Sequence, residues 1–466
     1  MNTTLKPTPV NGSSCPPLPL AESGKTKQTR PAQWLKLVVA TALSPSPSRA
    51  AGSWMRAAAE IIFDYFQAFP FTRVRAILLG SLLAALCAVL CTALPALAQP
   101  GPPIQIGLTA EFGMPGSQTA QSIEKGILLA IDEINTAGGV LGRKLALEKR
   151  DDHGLPARAL DNLADLAEMP EVVALFCGRF SPVVLELAPA ANRLGLLLLD
   201  PWAAGDGITR QAQPNFVFRL SATDTWAIDT ILDHARGRNL RHLAVLVPNT
   251  AWGRSSESAV LAYSKRQPGL RYNAHWFNWG DTEFSALLAQ ARAEGDQAVV
   301  MIANESEGSL IVKQMAALPA EQRLPIIAHW GITGGDFAAL TGAALKNVDL
   351  AVVQTFSFSG ARDAKALAVA AGVKRLFGHE VTTLRAQVGF AQAYDFTYLL
   401  AAAIRQAGRT DRAALRSALE KLGTHEGLLR TYRKPFSATN HEALDRRQMF
   451  MARFDSDGNL KPIGRP

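Results

Sequence analysis

An α/β architecture built on mostly parallel sheets is predicted by three observations. Apolar runs recur at the pace of βαβ units, at Val172 to Phe176, Leu196 to Leu199, Leu243 to Val247, Ala298 to Ile302 and Leu350 to Val353; they read as strands buried on both faces. One such unit can be followed residue by residue from Ile104 to Asp152. The chain is also long enough, at 466 residues with 48% apolar and 19% charged, to bury two cores.

In that first unit Ile104, Ile106 and Leu108 alternate with polar or small residues, the period of a strand. Gly113, Pro115 and Gly116 then let the backbone approach whatever sits at the strand's carboxyl end, the usual ligand position in open α/β sheets. From Ser122, Ile123, Ile127, Ala130, Ile131 and Ile134 recur three or four apart and mark a helix with one buried face. Gly138 and Gly139 end it, and Leu145 and Leu147 begin a second strand that closes on Asp151 and Asp152. Adjacent strand residues face opposite sides, so that aspartate pair reads as structural rather than as an acid couple. Asp224, Asp281 and Asp411 each stand just before a helical pattern, as helix caps do. Asp455-Ser456-Asp457-Gly458 reads as a hairpin turn.

The IQIG strand, the DEINTAGGVLGRKL run and the aspartates after it resemble the amino-terminal lobe of type I periplasmic binding proteins. The nearest members are the extracytoplasmic receptors of branched-chain amino acid and amide ABC transporters. The resemblance continues through residues 176 to 204, 217 to 224, 243 to 254 and 393 to 404, and its weight lies in order and spacing. It implies a two-lobed α/β fold, each lobe a mostly parallel sheet flanked by helices, with three crossings between lobes. Lobe one is expected over about 101–220 and 354–430, lobe two over about 221–353 and 431–466. It also implies capture of a solute by hinge closure, in which a ligand bridging both lobes favours the closed state.

Charge is unevenly distributed. Nine basic against three acidic residues before Gln99 supply +6 of the formal +8, leaving +2 for the remainder. No basic stripe with interleaved aromatics follows, which argues against nucleic acid as a partner. Arg73 and Arg75 precede an uncharged apolar run from Ala76 to Leu94, and Ala96-Leu97-Ala98 offers a signal-peptidase site. Residues 73–98 therefore read as a secretory signal cleaved before Gln99, leaving a periplasmic protein; an uncleaved membrane anchor is the alternative. Residues 1–72 read as a non-native or disordered extension, rich in Ser, Thr and Pro at its start. Either translation begins later, near Met55 or Val74, or an anchored protein carries a cytoplasmic extension. Cys15, Cys87 and Cys91 fall in the precursor; Cys177 is alone in the mature region, which excludes an intramolecular disulfide there.

The ligand site is expected where strand-end loops of the two lobes face each other. Ser181 matches the family serine that bonds a ligand carboxylate, and a hydroxyl beside a helix amino terminus suits an anion; a plain helix cap is the alternative. Arg179 in the same loop offers a bidentate grip on a carboxylate, or points to solvent. The resemblance further implies Trp202, Ala203 and Ala204 on lobe one, with Ala204 where amino-acid receptors carry a threonine. Trp252 stands for a covering tyrosine and Asn304 for another aromatic; Thr119 marks a further contact. In the loop 329–335, where those receptors place a carboxylate for the ligand ammonium, His329 and Trp330 stand instead and no acid precedes Asp336. A buried ammonium without a carboxylate costs several kcal/mol, so the pattern favours a small carboxylate or amide with an apolar body. Glu305 is the residue that would restore amino-acid binding; Glu307 in the same loop reads equally as the start of the next helix.

Enzymatic chemistry has little support. The mature region has no GxSxG, phosphate loop, HExxH or CxxC, and its eight histidines are scattered without metal-ligand spacing. No cofactor is expected. The expected partners are a small solute and the permease subunits of an ABC importer, with the receptor a monomer. A ligand sensor on the same fold, free or membrane-tethered, is the rival reading.

Overall fold

The structure, a computed structural model, describes residues 101–361 and 363–464. The signal expected at 73–98, residues 1–72 and the cysteines before Gln99 lie outside the described residues.

Two sheets organise this region. The first lobe holds five parallel strands in the order β2-β1-β3-β4-β5: β1 (Ile104–Ala110), β2 (Leu145–Asp151), β3 (Val172–Cys177), β4 (Leu197–Asp200) and β5 (Val217–Arg219). Helices cover both faces, because β strands buried on two sides need two apolar partners. On one face Ile106 and Leu108 pack with Ile123 and Ile127 of α1 (Thr119–Thr136). On the other Leu175 packs with Leu163 of α2 (Pro156–Glu168) and Leu187 of α3 (Ser181–Leu194). The predicted stop of α1 is real: Gly138 and Gly139 take φ of 101° and 78°, and a Cβ on Gly139 would lie 2.2 Å from the Arg143 carbonyl oxygen.

The second lobe follows from α4 (Asp224–Gly237) onward and contains β6 (His242–Pro248), α5 (Ala251–Arg266), β7 (Arg271–Phe277), α6 (Ser285–Ala293), β8 (Ala298–Met301), α7 (Glu305–Ala317), β9 (Ile326–Ala328), α8 (Phe337–Thr341) and β10 (Leu350–Gln354). Its seven-stranded sheet, which includes β13 (Phe450–Phe454) and β14 (Leu460–Pro462), runs β14-β13-β10-β9-β8-β6-β7. The chain then returns to the first lobe through α9 (Ala364–Phe377), α10 (Gln387–Ala407) and α11 (Arg412–Leu419), α10 packing along α1. The hairpin of β11 (Thr424–Glu426) and β12 (Thr431–Arg433) stays there, since Asp395 of α10 accepts from the Leu428 and Leu429 amides and the Tyr432 hydroxyl. A third crossing after Arg433 lays β13 (Phe450–Phe454) antiparallel to β10, with β14 (Leu460–Pro462) beyond it. The Asp455 carboxylate holds the β13–β14 turn by accepting from the Asp457 and Asn459 amides.

Two of the three expected caps are corrected. Thr223 caps α4, accepting from the Trp226 amide, and Asp224 is already helical. Asp281 accepts from the Asn278 amide in a turn ahead of α6 and caps nothing. Asp411 does cap α11 through the Ala414 amide. Cys177 is fully buried, its thiol directed at the Leu199 carbonyl and pushed well above its usual range by burial, as for a small core residue. Among the described residues no helix is long and apolar enough to cross a membrane.

Candidate functional site

The carboxyl ends of both sheets meet in one cleft. Past β3 the chain turns through Arg179 and Phe180 into α3, whose Pro182 suits a first helical turn. Past β4, the buried Asp200 carboxylate folds the next loop by accepting from the Trp202 and Ala203 amides at 2.9 and 2.7 Å. These loops place Arg179, Phe180, Ser181, Trp202 and Ala204 on one wall; Trp252, Trp279, Asn304, His329, Trp330 and Gly331 form the other. The enclosed cavity is only about 10 Å³, space for about one water. Nothing much larger than a water fits the cavity as it stands.

Arg179 and Glu305 pair across the cleft. Nη1 and Nη2 of Arg179 donate to Oε2 and Oε1 of Glu305 at 2.5 and 2.8 Å, and both side chains are buried. Arg179 Nε lies 3.5 Å from Glu111 Oε1, an oxygen that also accepts from the Ser117 hydroxyl. Burial opposes the guanidinium's charge, but Glu305 and then Glu111 more than offset it, so its pKa stands above the ordinary arginine value. The interlobe seam continues through Gly334, whose carbonyl accepts from the Thr119 hydroxyl and the Gln118 amide, both at 2.9 Å.

Gly334 is required by this approach. A Cβ there would lie 1.9 Å from Arg179 Nη1 and 2.9 Å from both Glu305 Oε2 and Thr119 Oγ1. Gly334→Ala should thus oppose closure by about 1–3 kcal/mol, the usual cost of overpacking. Solute affinity should fall roughly five- to 150-fold while the melting temperature of the solute-free protein holds. Unchanged affinity by calorimetry would show that the seam does not close on the solute.

The aromatic wall is tied down from behind. Asp224 Oδ1 accepts from Trp252 Nε1 and the Ser256 hydroxyl at 3.1 Å and lies 3.5 Å from His329 Nε2. His329 Nδ1 accepts from the Gly331 amide, which leaves Nε2 as the protonated nitrogen of the neutral ring. The ring lies 3.9 Å from Trp330 and edge-on to Trp252, and burial lowers its pKa. Glu307 accepts from the Gly280 amide and so anchors the Trp279 loop, where Trp279 packs 5.1 Å from Phe180 of the opposite lobe.

Of the predicted site residues, Arg179, Ser181, Trp202, Ala204, Trp252, Asn304 and Trp330 line the cavity. Three do not. Ala203 is buried in the first lobe's core, Thr119 belongs to the interlobe seam, and Glu305 has both oxygens on Arg179. Ser181 is the first residue of α3 rather than its cap: its oxygen accepts from the Gly205 amide at 3.2 Å, joining two strand-end loops, and its own proton remains to donate. Sequence reasoning missed Phe180, Trp279 and the supporting role of Asp224. Trp279 carried a usable signal, an aromatic directly before a glycine in a strand-end loop.

Comparison with known proteins agrees with this architecture. Residues 103–459 match the family model described as periplasmic binding protein. The Leu/Ile/Val-binding protein homolog 3 of Brucella melitensis is 24% identical over 315 residues, covering 67% of this chain and 81% of the relative. A type 1 periplasmic binding protein from Bordetella pertussis Tohama I superposes with a TM-score of 0.69 at 19% identity, over 78% of this chain and 100% of the other. An ABC-transporter solute-binding protein from R. palustris, solved in complex with benzoate, gives 0.65 at 19% identity, over 78% and 96%.

Proposed function

Because the chain belongs to the periplasmic binding protein family, a family of solute-binding proteins rather than enzymes, we propose that it is the extracytoplasmic receptor of an ABC importer for a small monocarboxylate with an aromatic or branched apolar body. One observation carries the choice of solute. Of the charged side chains around the cleft, Arg179 alone lines the cavity; Glu305, Glu111, Glu307 and Asp224 stand behind it or behind the indoles. A carboxylate thus meets the Ser181 hydroxyl, the Asn304 amide, the amino terminus of α3 and the N–H groups of Arg179 that Glu305 leaves free. An α-ammonium meets indole and no free acid, because Glu305 is held by Arg179. The Trp202, Trp252, Trp279 and Trp330 walls suit a flat or branched apolar body. Closure over the solute completes the Arg179–Glu305 pair, which makes the closed form the state presented to the permease. In this reading residues 73–98 direct export and are removed before Gln99.

Thermal unfolding of the purified protein tests this against benzoate, phenylacetate and branched-chain acids on one side and leucine, isoleucine and valine on the other. A solute at one hundred times its Kd should stabilise by about 2.7 kcal/mol. Shifts with the acids and none with the amino acids are expected; shifts with the amino acids alone would overturn the proposal.

A further inference from the structure

Away from the cleft, His275, Glu294 and Asp296 bring one imidazole nitrogen and two carboxylates within 4.8 Å of one another. We propose that they bind one divalent transition-metal cation of the zinc class, which fastens the end of α6 to the edge strand β7. His275 lies on β7, and Glu294 and Asp296 lie in the turn from α6 into β8. His275 and Asp296 are only 4% and 6% exposed, whereas Glu294 opens to solvent and leaves a coordination position for water.

Three features point to a cation rather than to an internal ion pair. The buried Nε2 of His275 has no hydrogen-bond partner among the described residues, and it faces Glu294 Oε2 at 3.4 Å. That is longer than an imidazole–carboxylate hydrogen bond of about 2.7–2.9 Å, and it matches the roughly 3.4 Å edge between two donors each about 2.1 Å from a tetrahedral ion. Second, neither Glu294 nor Asp296 pairs with a lysine or arginine among the described residues, so two carboxylates stand together beside the imidazoles of His275 and His242. A bound dication would neutralise both. Third, each carboxylate is oriented from outside the cluster: Gln290 Nε2 donates to Glu294 Oε1 at 2.8 Å, and Asn273 Nδ2 reaches both Asp296 oxygens at 3.3 and 3.4 Å. Such outer partners are what metal-binding carboxylates usually have. One nitrogen and two oxygens suit Zn²⁺, Co²⁺ or Mn²⁺ better than the all-oxygen shells of Mg²⁺ or Ca²⁺.

The test uses the purified protein stripped with chelator and needs no solute, so its outcome is independent of the proposed transport role. Calorimetric titration with Zn²⁺ should show one saturable equivalent that raises the melting temperature, with Mg²⁺ inactive. Co²⁺ in its place should give visible absorption of a nitrogen–oxygen site. Glu294→Gln, at an exposed position, and Asp296→Asn should each weaken Zn²⁺ binding at least tenfold, with the metal-free melting temperature of Glu294→Gln unchanged. Absence of a saturable equivalent, or an equivalent that both variants retain at wild-type affinity, would overturn the site.

Discussion

Glu305→Gln is expected to weaken solute binding about a hundredfold while leaving the solute-free protein as stable as the wild type. On the proposed hinge closure, Arg179 and Glu305 leave water and come together as the buried pair the structure holds. Removing one member of a buried pair costs about 3–5 kcal/mol, since the other charge is left without its partner. Glu111, 3.5 Å from Arg179 Nε, keeps the penalty at the lower end, and about 3 kcal/mol of lost closure is roughly a hundredfold in Kd. Arg179→Leu should be worse, because it strands Glu111 and Glu305 in the seam with no cation between them. The order of the two variants is therefore as diagnostic as their size. Calorimetry with the best solute of the panel reads both, and a Glu305→Gln affinity within threefold of wild type would show that the pair does not form on closure.

The same pair shows where sequence reasoning stops. Arg179 and Glu305 were each legible as polar groups in strand-end loops, and each was assigned a different end of the ligand. That they engage one another depends on how closely two lobes approach across 126 residues of sequence, which no local pattern encodes. Elements buried on both faces were readable, because continuous apolar runs such as Val172–Cys177 leave few alternatives. Strand β7 was not: Arg271–Phe277 forms a sheet edge, only His275 and Phe277 are buried, and its composition resembles a loop. Strands β5 and β9, of three residues each, are too short to carry a period. Asp224 was misplaced by one helical position, and that position decides whether its carboxylate caps a helix or holds Trp252 and Ser256. Thus the unit from Ile104 to Asp151 could be followed element by element, whereas the charge arrangement in the cleft required the folded chain.

Asp200→Asn is expected to reverse its order of stability with the wild type between about pH 4 and pH 8. Asp200 is fully buried; Oδ1 holds the Trp202 and Ala203 amides, and Oδ2 has no hydrogen-bond partner among the described residues. Burial pushes its carboxyl up to about 7, with Arg219 and the two amides only partly opposing. Below about pH 4 the group is protonated in folded and unfolded chains alike and contributes nothing to the difference. Between about 4 and 7 the unfolded carboxyl ionises while the folded one retains its proton, so the fold is progressively penalised as pH rises. Above 7 the penalty is constant, and three pKa units correspond to about 4 kcal/mol. Asparagine keeps the Oδ1 acceptor and removes the titration, but it places an amide N–H₂ where Oδ2 lacked a partner, at a cost of about 1–3 kcal/mol. The variant should therefore be less stable than wild type at pH 4 and more stable at pH 8, with the curves crossing between. Urea unfolding at both pH values measures the swing directly. Parallel curves would mean that Asp200 is ionised throughout that range, with Arg219 compensating its charge fully.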